Sequence, residues 1–188
     1  MSDTGKKAEH VAGDDLLIWL DMEMSGLDPE TCMPIEVAII VTGADLEERD
    51  QYHAILHQPV EALASMNDFV REMHTSNGLL TKVADSDTSV DQADRALAEL
   101  VLRHCPEGKA VLAGNSIHQD RRFITRYFPG LEETLHYRMV DVSTLKELVR
   151  RWYGAEALYP KTESDHTALA DTRQSIAELA FYRKQCFC

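Results

Sequence analysis

Several things are missing from this chain of 188 residues, and each absence closes off a class of protein. No uninterrupted apolar run approaches the ~20 residues that a membrane-spanning helix needs. The opening stretch MSDTGKKAEHVAGDD has no apolar core between a basic start and a small-residue cleavage site, so it does not read as a secretory leader. Residues 1–15 are expected to form a disordered tail. Four cysteines, Cys32, Cys105, Cys186 and Cys188, lack the spacing of a metal finger, and pairing the last two would staple almost nothing. Reduced thiols and a cytoplasmic protein are the expectation. Positive charge is also scarce. Nineteen Lys and Arg face 32 Asp and Glu, a net charge of −13. A protein that grips long duplex nucleic acid needs a basic groove that releases counterions, so such a partner is not expected. An acidic protein that handles an anion needs clustered carboxylates carrying divalent cations, or a substrate too short to need many phosphate contacts.

What is present fits a folded α/β chain. With 44% apolar and 27% charged residues, 16–188 is expected to form a single domain. LLIWLDMEM (16–24) is an apolar run of strand length, closed by the turn residues of SGLDPE. PIEVAIIVTG and QYHAILHQP predict two further strands at short spacing, which suggests an antiparallel meander with the first strand central. Helical spacing follows, with Ala93, Leu97, Leu100 and Val101 recurring before a stop near Cys105 and Pro106. AVLAGNSI predicts a fourth strand running into a helix over QDRRFITRYF. YRMVD predicts a short fifth strand, which breaks at Asp141 into a helix capped by Ser143 or Thr144. GAEALYPKTESD reads as a loop, and HTALADTRQSIAELAFYRK as a closing helix. The expected fold is α/β, a mixed sheet with helices packed on it.

Residues two apart on a strand face the same way, so Asp21 and Glu23 set two carboxylates side by side in an otherwise apolar segment. A divalent cation would compensate both; a solvated strand face is the plainer account. Asp120 stands where a strand ends and a helix begins. That is a place for an N-cap and equally a place where α/β sheets gather ligand-binding groups. His166 and Asp171 are five residues apart, about 500° around a helix, and do not share a helical face. A loop histidine titrating near neutrality can take a proton from water.

The order of these features resembles a known family. An apolar strand bearing D-M-E, the strand-to-helix GNSIHQD and a final helix opened by H-T-A-L-A-D resemble the three motifs of the DEDDh exonucleases. WLDMEMSGLDPE, GNSIHQDRRF, HYRMVDVSTLKELVRRWY and HTALADTRQSIAELAFYR are similar to oligoribonucleases over their whole lengths. The resemblance runs from about Leu16 to the C-terminus and implies a ribonuclease H-like fold with a five-stranded sheet, and a homodimer. The activity it implies is 3′→5′ hydrolysis of very short RNA, down to dinucleotides, to nucleoside 5′-monophosphates. By the same resemblance Asp21, Glu23, Asp120 and Asp171 would hold two Mg²⁺ or Mn²⁺ ions, with His166 as the general base. It also implies a substrate shell. Leu27 would wedge against the bases with His74 near them, Ser116, Arg138, Ser143 and Thr144 would cap the 5′ phosphate, and Tyr137 would arrive across the dimer. The plainer roles for these residues are core packing and helix capping. Two positions depart from the family pattern: Ala170 replaces a second Asp, leaving Asp171 as the fourth acid, and Phe69 stands where Trp is usual.

Overall fold

The computed structural model describes residues 16–64, 66–160 and 167–187. The expected tail, 1–15, lies outside the described residues, as does His166. Three strands, β1 (Leu17–Met24), β2 (Pro34–Thr42) and β3 (Glu48–Ile55), form the antiparallel meander. The third was expected over 51–59. It starts three residues earlier, and Leu56 turns its backbone N–H to the Ile35 carbonyl where the strand ends.

Helices α1 (Asp68–Ser76), α2 (Leu79–Asp85) and α3 (Val90–His104) follow. A reciprocal capping box between Ser89 and Gln92 starts α3, and Ala93, Leu97, Leu100 and Val101 are its buried stripe. Next come β4 (Ala110–Gly114), α4 (His118–Tyr127), a short α5 (Pro129–Thr134), β5 (Leu135–Asp141), α6 (Val142–Tyr153) and the closing α7 (Ala168–Cys186). The sequence pattern did not predict α5, whose six residues hold too little periodicity to register. It exists because Pro129 begins it and the Asp94 carboxylate accepts the N–H groups of Gly130 and Leu131. The expected cap of α6 is corrected too. Asp141 is the N-cap, its Oδ1 accepting the Ser143 N–H at 2.9 Å, so the helix starts one residue before Ser143.

The sheet order is β3-β2-β1-β4-β5, with β4 and β5 parallel to β1. β1 is central and helices flank the sheet, both as expected. Alternation along β1 splits the core. Ile18, Leu20 and Met22 pack with Phe123, Ile124 and Phe128 and with the buried stripe of α3. On the other face Trp19 packs with Val149, Ile176 and Tyr182. That second face changes character partway along: after Trp19 come Asp21 and Glu23. No described helix is long and apolar enough to cross a membrane.

Candidate active site

The change of character along β1 builds the site. Asp21 and Glu23 project together past the apolar patch around Trp19, and Asp171, on the first turns of α7, comes down onto them. One carboxylate oxygen from each of the three lies within 4.8 Å of the others. Thr167 opens α7, accepting the Ala170 N–H at 3.4 Å, and so fixes the start of the helix that carries Asp171.

Asp120 joins them in a different way. It is not an N-cap: α4 begins at His118 and Asp120 lies inside its first turn, almost fully buried. Pairing between β1 and β4 stops at Trp19 and Ala113, so β1 runs on beyond its parallel neighbour. On that stretch the Met22 N–H donates to Asp120 Oδ1 at 3.1 Å. Gly114 lets β4 end so close to β1, since a Cβ there would lie 2.8 Å from the Leu20 carbonyl oxygen. Asp120 is outside the trio that converges, yet it exerts the strongest charge effect on Asp21.

Among the described residues, burial and repulsion between carboxylates dominate the electrostatics of this site. Burial, then repulsion from Asp120, Glu23, Asp171 and Glu36, pushes the Asp21 carboxyl well above its usual range. Glu23 is pushed up to about 8, first by burial and then by Glu36, Asp171 and Asp120. Burial also raises Asp120, against the opposing hydrogen bonds from its own N–H and that of Met22. Carboxylates gathered in this way suit hard divalent ions with oxygen ligands, and the donor set among the described residues contains no thiolate that would favour a soft metal.

The remaining residues divide by location. Leu27 lies in the turn after β1, 67% exposed, and its carbonyl accepts from Arg122. His74, on α1, is fully buried; its Nε2 lies 3.1 Å from the Met24 carbonyl oxygen and 3.9 Å from Glu23 Oε2. Burial lowers its basicity. Ser116 and Ser143 do come together. The Ser116 N–H donates to Asp141 Oδ1 and to Ser143 Oγ, each at 3.0 Å, and the two hydroxyls are 3.2 Å apart. Ser116 has φ 51°, a left-handed turn that swings the chain from β4 into α4 and that these bonds hold in place. Thr144 is exposed on α6. Tyr137 and Arg138 stand exposed on β5, the edge strand, with the guanidinium 5.3 Å from the tyrosine ring centroid. Glu36, which acts on Glu23, and Asn115, whose Oδ1 accepts from Ser143 Oγ at 3.0 Å, had no place in the sequence reading. Glu36 carried a signal, a lone acid in the apolar run PIEVAIIV, of the same kind as D-x-E. Asn115 carried none.

Comparison with known proteins supplies the family. The exonuclease family matches residues 18–179. The oligoribonuclease of Bordetella pertussis is 47% identical over 176 residues, covering 92% of this chain and 96% of that protein. That of Vibrio campbellii is 46% identical over 175 residues, with 93% and 97% covered. The chain belongs to the oligoribonuclease family of exonucleases. By that membership it is an enzyme, a 3′→5′ exoribonuclease. The oligoribonuclease of Corynebacterium glutamicum, 46% identical over 180 residues, extends further than this chain, which covers 82% of it against 94% in the other direction. Among solved structures, an exonuclease I superposes with a TM-score of 0.68 at 13% identity, over 90% of this chain. Another, from Methylocaldum szegediense, gives 0.59 at 19%, over 92%. This chain spans about two fifths of those proteins, 41% of each, and the likeness is one of fold, the ribonuclease H-like fold.

Proposed function

We propose that this oligoribonuclease-family chain removes nucleotides from the 3′ end of very short RNAs, down to dinucleotides, with two divalent cations at the carboxylate centre. The observation that carries the reading is the convergence of Asp21, Glu23 and Asp171 on β1 and α7, in a chain so similar to oligoribonucleases. These three, with Asp120, would hold Mg²⁺ or Mn²⁺. When bound, such ions supply charge stabilisation at the scissile phosphate and its leaving oxygen.

The chain's own residues do the rest. Asp120, fixed by the Met22 N–H, sets its charge against Asp21. His166 would take the proton from the attacking water; it immediately precedes Thr167, the cap of the helix bearing Asp171. Leu27 presents an exposed apolar side chain just after β1, suited to packing on a base. His74 would act from behind, through the Met24 backbone and Glu23. Ser116, Ser143, Thr144 and Arg138 supply hydroxyl and guanidinium donors for a terminal phosphate. Tyr137, exposed on the edge strand, would serve a second copy of the chain, and a homodimer is part of the proposal. The charge of −13 favours short substrates, which need few phosphate contacts. The unpaired thiols of Cys32 and Cys186 suit a cytoplasmic enzyme.

The test is product analysis with Mg²⁺ and 5′-phosphorylated RNA, comparing a dinucleotide with a strand of about twenty residues. Rapid conversion of the dinucleotide to mononucleotides is expected. Fast degradation of the long strand beside an inert dinucleotide would reject the short-substrate reading.

A further inference from the structure

Glu36 on β2 stands directly opposite Glu23 on β1 in the antiparallel register. Residues opposed in this way point to one face of the sheet, so Glu36 shares the face of Asp21 and Glu23. Its side chain is only 3% exposed. Oε1 is held at 2.6 Å by Nε2 of His53, a diagonal neighbour on β3. Oε2 is buried and has no hydrogen-bond partner among the described residues.

This is a costly arrangement for packing alone. Like charges opposite one another weaken a strand pair, and a buried carboxylate with an unsatisfied oxygen carries a desolvation penalty. Gln or Met would fill the same space at lower cost. Glu36 is outside the three acids whose oxygens converge, and one of its oxygens is taken by His53, which fits a role behind the ligands. What it does is act at short range through a dry interior. It is the foremost charge bearing on Glu23, and it reaches Asp21 and His74 as well.

We propose that Glu36, held by His53, is a positioning residue of the metal centre, whose buried charge strengthens the hold of Asp21, Glu23 and Asp171 on divalent cations. This rests on the metal-centre reading above. A buried negative charge favours a positive counterpart, and a cation held by Asp21, Glu23 and Asp171 would supply one beyond the hydrogen bond from His53. His53, 35% exposed at the far side of the pair, keeps the carboxylate in place from the third strand.

Calorimetric titration of the full chain with Mn²⁺ alone, without substrate, separates the two ideas. Mn²⁺ binding by the parent protein tests the metal centre itself, and a parent that binds none overturns both. The ratio between variants tests Glu36. Glu36→Gln should bind Mn²⁺ about tenfold more weakly, while Glu36→Asp, which keeps the charge, should stay within about threefold of the parent. The metal-free melting temperature of Glu36→Gln at pH 8 should equal or exceed the parent's, because a buried repulsion has been removed. A purely structural Glu36 would show the reverse, a lower melting temperature with unchanged Mn²⁺ affinity. The proposal is overturned if Glu36→Gln binds within about twofold of the parent, or if Glu36→Asp is as weak as Glu36→Gln. Should the glutamine variant not fold, Glu36→Met, of similar volume and with no polar atom to strand, carries the same comparison.

Discussion

Without metal, the folded protein should lose stability as pH rises from 5 to 8, the opposite of what ordinary salt-bridged carboxylates produce. Glu23 titrates at about 8 in the folded chain against an ordinary 4.5. Across that interval the folded state holds a proton that the unfolded state has released, so stability is fully present below about 4.5 and gone above about 8. Three pH units within the window, at 1.36 kcal/mol each, amount to roughly 4 kcal/mol for Glu23 alone. Screening takes little from this, since the side chain is only 13% exposed. For a chain of this size the loss corresponds to a melting temperature lower by about 8–16 °C. Asp21 and Asp120 shift in the same direction. The assay is thermal unfolding in a chelator at several pH values above 5. Below that range Asp50, whose carboxyl is lowered chiefly by its bond to His104, pulls the other way. Saturating Mg²⁺ should recover most of the loss at pH 8 and add little at pH 5, where protons already neutralise the site. A metal-free melting temperature that is flat or rising from pH 5 to 8 would refute the account of the site as mutually repelling carboxylates. So would an equal Mg²⁺ shift at both ends.

Asp21→Asn should lower kcat with Mg²⁺ at least a hundredfold while raising the metal-free melting temperature at pH 8, measured on one preparation; a fall in both would mean that Asp21 is held for packing. Asp120→Ala should cost about 1–3 kcal/mol in denaturant unfolding, because the Met22 N–H is left without its acceptor, whereas Asp120→Asn keeps an oxygen there and should cost less than half as much. Equal losses would remove the hydrogen bond from the explanation.

Much of the fold could be read from residue order because β1 and α3 carry strong periods. LLIWLDMEM alternates after Trp19, and the buried positions of α3 fall where 3.6-residue spacing puts them. α5 and the cap of α6 were less legible, for a shared reason. Each depends on a carboxylate whose partner is decided by tertiary placement or by one residue of helix phase: Asp94 reaches α5 across 36 residues, and Asp141 caps α6 in place of Ser143. At the site, the pairing of Asp21 with Glu23 follows from strand geometry, but the acceptor role of Asp120 does not. That role exists because β4 stops short of β1, a fact of sheet topology. Glu36 was hidden for a similar reason. Only the register of β2 against β1 shows that it faces Glu23.

The alternation along β1 has a consequence for how the chain selects its native pairing. A slip of one residue would turn Leu20 and Met22 out of the apolar layer they share with Phe123 and Ile124 and drive Asp21 and Glu23 into it. The misaligned chain would lose its core and its carboxylate cluster together. A proofreading device is therefore built into the strand. The same two acids that burden the folded protein make every neighbouring register worse, so molecules that fold at all carry Asp21 and Glu23 on the face that Asp171 meets.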